Sequence, residues 1–407
     1  MRYIIQMKIS KEDACNFLLT YQKLTDSQTL SGVDGILEYM KKVGCIQYDP
    51  LNIIGRNTDL VLQSRVRDYK PKMLEQLLYE DRLLVDGWDK MMAIYPREDW
   101  PYFHFVRQQR AFEAISTLRH RKSEHALHHI DMVLDTLSKN GPMQSKQIQL
   151  GSAGCGRWGH RNLSSAAMDY LFHLGKVGVF NKIGVNKVYD LIENLLPDNI
   201  INEPNPFKSK YDFMKWYVYR RLGSVGMLWN KNGGGWLATL MPDKALRQQI
   251  LDEYIADGLV TCIEVEDISE KFYVKSSDVY IFDLNNWVTP KSVRFIAPLD
   301  NLMWDRDMLF KLFDFKYTWE VYIPVSKRKY GYYVIPVLFG NRFIARFEPE
   351  KSQSHIKIKN WWWEKDISVS NDMIDLSILE MERLAICFNK KEGIASPLTG
   401  GVQLPSC

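Results

Sequence analysis

Gln47 and Asp49 are the residues whose types and spacing best suit chemistry. They lie in GCIQYDPLNIIGR, residues 44–56. The surrounding apolar residues read as a buried strand. On a strand, residues two apart share a face and the one between them faces away. That places the Gln47 amide beside the Asp49 carboxylate, with Tyr48 anchoring the other side. A carboxylate can take a proton or oppose a developing positive charge. An amide can donate and accept hydrogen bonds at once. A solvated strand face would carry the same pattern, and two residues alone do not separate the readings.

The elements that must position this pair begin with SKEDACNFLL, a helix starting at Ser10, with Glu12 and Asp13 suited to the positive end of its dipole. A second helix, DGILEYMKKVG, stops at Gly44, and the chain turns into the strand. LVLQSRVRDY and PKMLEQLLYEDRLLVDGW read as helical, with Pro71 marking a start. Over residues 124–196 the pattern is clearest. SEHALHHIDMVLDTLSKNG is a helix ending at Gly141, and a short helix with Ser145 as N-cap follows. After a glycine-rich turn come the helix NLSSAAMDYLFHLGKV and two strands flanking a Lys182-Ile183-Gly184 turn. Three helices and a hairpin make a winged helix, whose last helix usually enters the DNA major groove.

The pattern recurs in YDFMKWYVYRRLG, MPDKALRQQILDEYIADGLV and the hairpin TCIEVEDISEKFYVKS, and the N-terminal stretch reads as a divergent third copy. From Val293 the texture becomes strand: FIAPLDNLMW, YTWEVYIPV, YGYYVIPVLFGNRFIARFEP and IKIKNWWW, closed by the helix MIDLSILEMERLAICFN. The expected fold class is α+β. Winged-helix regions over 1–123, 124–205 and 206–290 precede a β-barrel-like domain with a C-terminal helix over 291–407.

Composition bounds the partners. A chain of 407 residues exceeds one core, and 46% hydrophobic with 25% charged residues is ordinary globular usage. A net charge of +4 permits nucleic acid without demanding it. The six cysteines are scattered with no Cys-x-x-Cys, which argues against zinc or a disulfide framework and for a reducing cytoplasm. The N-terminus becomes charged too soon for a signal peptide, and no apolar run approaches the ~18 residues of a membrane helix. A soluble, cytoplasmic monomer is expected, with no metal or organic cofactor. The cluster His120, His125, His128 and His129 reads as a solvated face rather than a metal site. Trp361-Trp362-Trp363 could form a stacking platform, but rings along a strand alternate faces, so at least one reads as core. SKRKYGYY (residues 326–333), with Lys327, Arg328 and Lys329 beside tyrosines, suits phosphate contacts and stacking, or is simply a charged hairpin end.

Several of these motifs together resemble a known family. IQYDPLNIIGR…LQSRVRDY, NKVYDLIENLLP and FIAPLDNLMWDRDMLFKLFDFKYTWEVYIPVSKRKYGYYVIPVLFGNRFIARFEP follow the order seen in AlkZ/YcaQ-like winged-helix DNA glycosylases. The resemblance spans nearly the whole chain. It implies tandem winged helices plus a β-barrel, and excision of N7-alkylated purines with unhooking of DNA interstrand crosslinks. The family signature is Gln, an apolar residue, then Gln or Asp. The resemblance therefore assigns catalysis to Gln47 and Asp49, in the Asp-bearing version of a broad-acting repair branch. Arg56 and Arg65 sit where the family has arginine. Asn57-Thr58 replaces a common Ala-His after Arg56, and Asp89-Lys90 follows Trp88 where many members have Trp-Gly-His-Glu.

The implied activity is that of a monofunctional DNA glycosylase acting on double-stranded DNA with alkylated or crosslinked purines. Gln47 and Asp49 would be catalytic, and Arg56, Arg65, Lys182, Lys187, Lys327, Arg328 and Lys329 would meet DNA. Two other readings stay open on this scaffold. One is a non-enzymatic winged-helix DNA-binding protein or transcription regulator, and the other is a winged-helix protein-interaction scaffold. Neither needs a Gln-x-Asp pair.

Overall fold

The computed structural model describes residues 6–25, 30–150, 162–284, 291–352 and 354–392. The chain gathers into two compact units. The first takes residues 1–74, 215–237 and 241–407, and the second 75–214 and 238–240. The second thus interrupts the first along the sequence.

In the first unit, the helix Lys11–Tyr21 starts at Ser10 with a full capping box: Ser10 accepts from the Asp13 amide and the Asp13 carboxylate from that of Ser10. The helix Gly32–Val43 turns its apolar stripe (Ile36, Tyr39, Met40, Val43) inward and stops at Gly44, whose φ is 77°. A Cβ there would be strained by the backbone and would meet the Arg220 guanidinium at 3.0 Å. A four-stranded sheet runs Gln6–Ile9, Val260–Val265, Lys271–Lys275, Met227–Trp229. Its first pair is parallel and the others antiparallel. The middle two strands are the expected hairpin, and the helix Lys244–Ala256, capped by Asp243, precedes them.

The C-terminal strands Val293–Phe295, Ile335–Phe339, Arg342–Glu350, His355–Trp363 and Lys391–Glu392 lie in chain order in one sheet, with the helix Asn371–Cys387 against it. Among the described residues this sheet stays open, so the expected barrel is corrected to a five-stranded sheet. One reason is YTWEVYIPV, which alternates like a strand yet forms two 3₁₀ turns, Glu320–Tyr322 and Val325–Lys327. The Glu320 carboxylate accepts the backbone N–H groups of Lys329, Tyr330 and Gly331, tying the segment into a loop instead of a ladder. Trp361, Trp362 and Trp363 are all buried, with Trp361 stacked on Phe347 at 5.6 Å.

In the second unit, helix His104–His120 packs on helix Leu163–Leu174, which with helix Ile130–Asn140 and the hairpin Val177–Ile183/Asn186–Leu191 encloses Val133, Leu137, Met168 and Leu171. Of the expected elements, the helix over 123–141 is a 3₁₀ stretch Glu124–His129 followed by the helix Ile130–Asn140, the helix after the glycine-rich turn and the hairpin are present, and His104–His120 is an additional helix; three further corrections follow. LLVDGW, read as helix, is the strand Leu84–Asp89, paired antiparallel with Met91–Pro96. The short second helix is a single 3₁₀ turn, Ser145–Gln147, capped by Gln144 rather than Ser145. Ile183 pairs with Asn186, so the hairpin turns at Gly184 and Val185, and Lys182 belongs to the strand. The expected glycine-rich turn falls at 151–161, outside the described residues. Of the histidine cluster, His120, His125 and His128 are exposed and His129 is half-buried. No described helix is long and apolar enough to cross a membrane.

Candidate active site

The segment carrying Gln47 and Asp49 is suspended from buried hydrogen bonds on both sides, all within the first unit. Before it, Arg220 donates to the Gly44 carbonyl at 2.9 Å, and Asn301 Nδ2 donates to the Cys45 carbonyl at 3.0 Å. Cys45 and Ile46 are fully buried. The strand itself is only Ile46–Gln47. Strict alternation through Asp49 is thereby corrected, because Tyr48 and Asp49 lie beyond the last strand residue. Pro50 explains the early end, since the residue before proline is restricted and proline donates no ladder bond.

Both functional candidates are half-buried. The Gln47 carbonyl accepts from Asn57 Nδ2 at 2.9 Å, and the Asn57 side-chain oxygen accepts from the Leu299 amide at 3.0 Å. Asn57, a departure from the family pattern, is buried and ties the end of the strand to the stretch 299–301. The Asp49 carboxylate accepts the Leu51 amide at 2.9 Å across Pro50, an Asx turn that fixes its orientation. Burial raises the Asp49 carboxyl above its ordinary value, and the Leu51 N–H offsets part of that. The result is a carboxylate of increased basicity held on a stiff turn. The loop that follows packs Gly55 against the Phe388 ring so closely that a Cβ at Gly55 would overlap the ring.

Arg56 is half-buried at the N-cap of the helix Asn57–Gln63. Arg65 is a correction. Its guanidinium is fully buried, bound to both carboxylate oxygens of Asp300 at 2.8 Å and to the Gln22 carbonyl at 2.7 Å. A side chain so enclosed holds the fold and does not reach a phosphate. Asp300 also accepts the Leu302 amide, and Asn301 spans the Cys45 and Ser224 carbonyls. Leu299, Asp300 and Asn301 are therefore the support that sequence reading missed. The signal was an Asp-Asn pair inside the apolar run FIAPLDNLMW, where buried polar residues need partners.

Lys182 is the second correction. In the second unit, its ammonium sits 2.5 Å from Asp86 Oδ1 and 2.8 Å from the Tyr79 hydroxyl, with both charged side chains almost wholly buried. Lys187, its cross-strand neighbour, is half-buried with its ammonium 4.6 Å above the Phe172 ring. In the first unit, Lys327 and Lys329 are exposed on the loop that Glu320 organises, beside the exposed Tyr322 and Val325. Arg328 is anchored to the Ile323 carbonyl at 2.8 Å and lies over Tyr332. Among the described residues no group of three His, Cys, Asp or Glu side chains is gathered as a metal would need.

A family model described as DNA glycosylase AlkZ-like matches residues 40–384. Among solved structures, Streptomyces sahachiroi DNA glycosylase AlkZ is similar in fold with a TM-score of 0.63 at 12% sequence identity, covering 95% of this chain and 98% of that one.

Proposed function

The chain belongs to the AlkZ-like DNA glycosylase family, and from that premise we propose that it hydrolyses the N-glycosidic bond of N7-alkylated purines and unhooks interstrand crosslinks built on them. The observation carrying this reading is the half-buried Asp49 carboxylate, oriented by the Leu51 amide and raised in basicity by burial. An N7-alkylated purine already bears positive charge, so it leaves without a general acid. What remains is to stabilise the sugar oxocarbenium and to deliver water to C1′. Ionised Asp49 does both, by opposing the developing charge and by taking the proton of the water. The Gln47 amide holds that water from a second direction. Two groups suffice, and neither a metal nor an organic cofactor enters.

The test is single-turnover reaction of the wild-type chain with a duplex containing 7-methylguanine and with a nitrogen-mustard crosslink. Abasic-site formation on the first and strand release on the second are expected. No product on either would leave a DNA-binding protein without this activity.

DNA contacts in this reading fall to Arg56, Lys187, Lys327, Arg328 and Lys329. Each phosphate contact adds about 0.9 to the slope of log K against log salt, so Lys327→Gln with Lys329→Gln should make it shallower by roughly 1.8. An unchanged slope in a filter-binding titration would remove the loop from the interface.

A further inference from the structure

The second unit contains a cleft of about 380 Å³ that takes no part in the chemistry proposed above. That volume is within the range of small-ligand sites, about 300–1,000 Å³. Its lining brings the aromatic rings of Trp88 and Phe172 together with the cations Arg110, Arg121 and Lys187. The Arg110 guanidinium lies 3.7 Å above the Trp88 ring, and the Lys187 ammonium lies 4.6 Å above Phe172. Arg121 lines the same space. Two acids also line it, Glu113 and Asp169, and Glu113 is already held by Arg110 at 3.0 Å and by Gln109 at 3.0 Å.

Two polar atoms here are buried with no protein acceptor, the Trp88 indole nitrogen and Arg110 Nε. Both are N–H donors, and buried donors are rarely left unmade because each costs its desolvation. Those two atoms are closed off from the open space of the cleft, so what a ligand meets there is the guanidinium plane of Arg110 and the positive charges of Arg121 and Lys187. They ask for a flat face and for negative charge. A nucleotide offers both, since bases stack on arginine planes and phosphates pair with basic side chains.

We propose that this cleft binds one nucleotide, its base stacked on Arg110 and its phosphate held by Arg121 and Lys187. The same chemistry is supplied by a free mononucleotide and by a single unpaired nucleotide of DNA.

Isothermal titration of the full chain separates the sources, using 5′-GMP, guanosine, and an undamaged duplex with and without one unpaired guanosine. Saturable binding of 5′-GMP, at least tenfold tighter than guanosine, supports a free-nucleotide site. Preference for the duplex with the unpaired residue, competed by 5′-GMP, supports the DNA-borne source. In either case Arg121→Gln should weaken binding of 5′-GMP about tenfold or more, and Arg110→Met should weaken 5′-GMP and guanosine alike, because it removes the base's stacking plane. Arg121→Gln is the safeguard against misfolding, because its half-exposed side chain has no buried partner to lose. Absence of saturable binding by every ligand, or binding unaltered in both variants, overturns the proposal. Because it uses neither a lesion nor Asp49, the 5′-GMP arm is independent of the glycosylase reading, in which Lys187 also contacts DNA.

Discussion

Asp49→Asn is expected to stop base release while leaving the protein at least as stable as the wild type. Loss of a positioned base costs about 10²–10⁴-fold, and the loss of negative charge facing the sugar adds to it. The stability half follows from the direction of the Asp49 shift. Burial raises its carboxyl in the folded chain, so the folded state holds the proton more tightly than the unfolded state does. The stability linked to that proton is present at low pH and is lost as pH rises through the raised value. At neutral pH the wild type thus bears the cost of an ionised, half-buried carboxylate, and the amide removes it. Catalysis runs the other way, because it needs the ionised form. The wild-type rate should fall with acidification at a pH above that of an ordinary aspartate, and Asp49→Asn should lack this limb. Release of 7-methylguanine under single-turnover conditions and a thermal melt measure the two halves. A variant that keeps its rate would remove Asp49 from the chemistry.

Arg65→Met is expected to cost about 3–5 kcal/mol, because it strands Asp300 as an unpaired charge in a fully buried site. Removing both charges together, Arg65→Met with Asp300→Leu, should recover part of that loss. The recovery stays partial because Asp300 also accepts the Leu302 amide. The midpoint of urea unfolding reads the difference. A stability close to wild type, with DNA affinity sharply weakened, would instead return Arg65 to the interface.

How far the sequence disclosed this arrangement depends on whether a signal was local. Ser10 with Asp13, and Gly44 after Val43, marked helix ends because a cap and a positive φ depend on a few neighbouring residues. The hairpin over 177–191 was visible, though its turn was set two residues early. The hairpin Leu84–Pro96 was not, because Met91 makes its turn with a φ of 55° and no glycine, asparagine or proline marks the place. The open C-terminal sheet was missed for a non-local reason. Glu320 gathers amides ten residues downstream, and alternation in YTWEVYIPV does not show that. The Gln47–Asp49 pair was legible as types and spacing, and the family resemblance supplied its role. Its support was not, since Asn57, Asp300 and Asn301 act through partners up to 256 residues away. Charge alone also misled for Arg65 and Lys182, where a basic residue was read as surface and each turned out to be half of a buried ion pair.

The interruption of the first unit by the second has a consequence during synthesis. Gln6–Ile9 waits for Val260–Val265, and Cys45 waits for Asn301. The second unit, almost contiguous from 75 to 214, leaves the ribosome with its own core complete, and domains generally fold as units while the chain emerges. A nascent chain therefore exposes Gln47 and Asp49 long before it has the residues that hold them. The order of translation keeps the proposed bond-breaking centre unassembled until the chain is about three-quarters made.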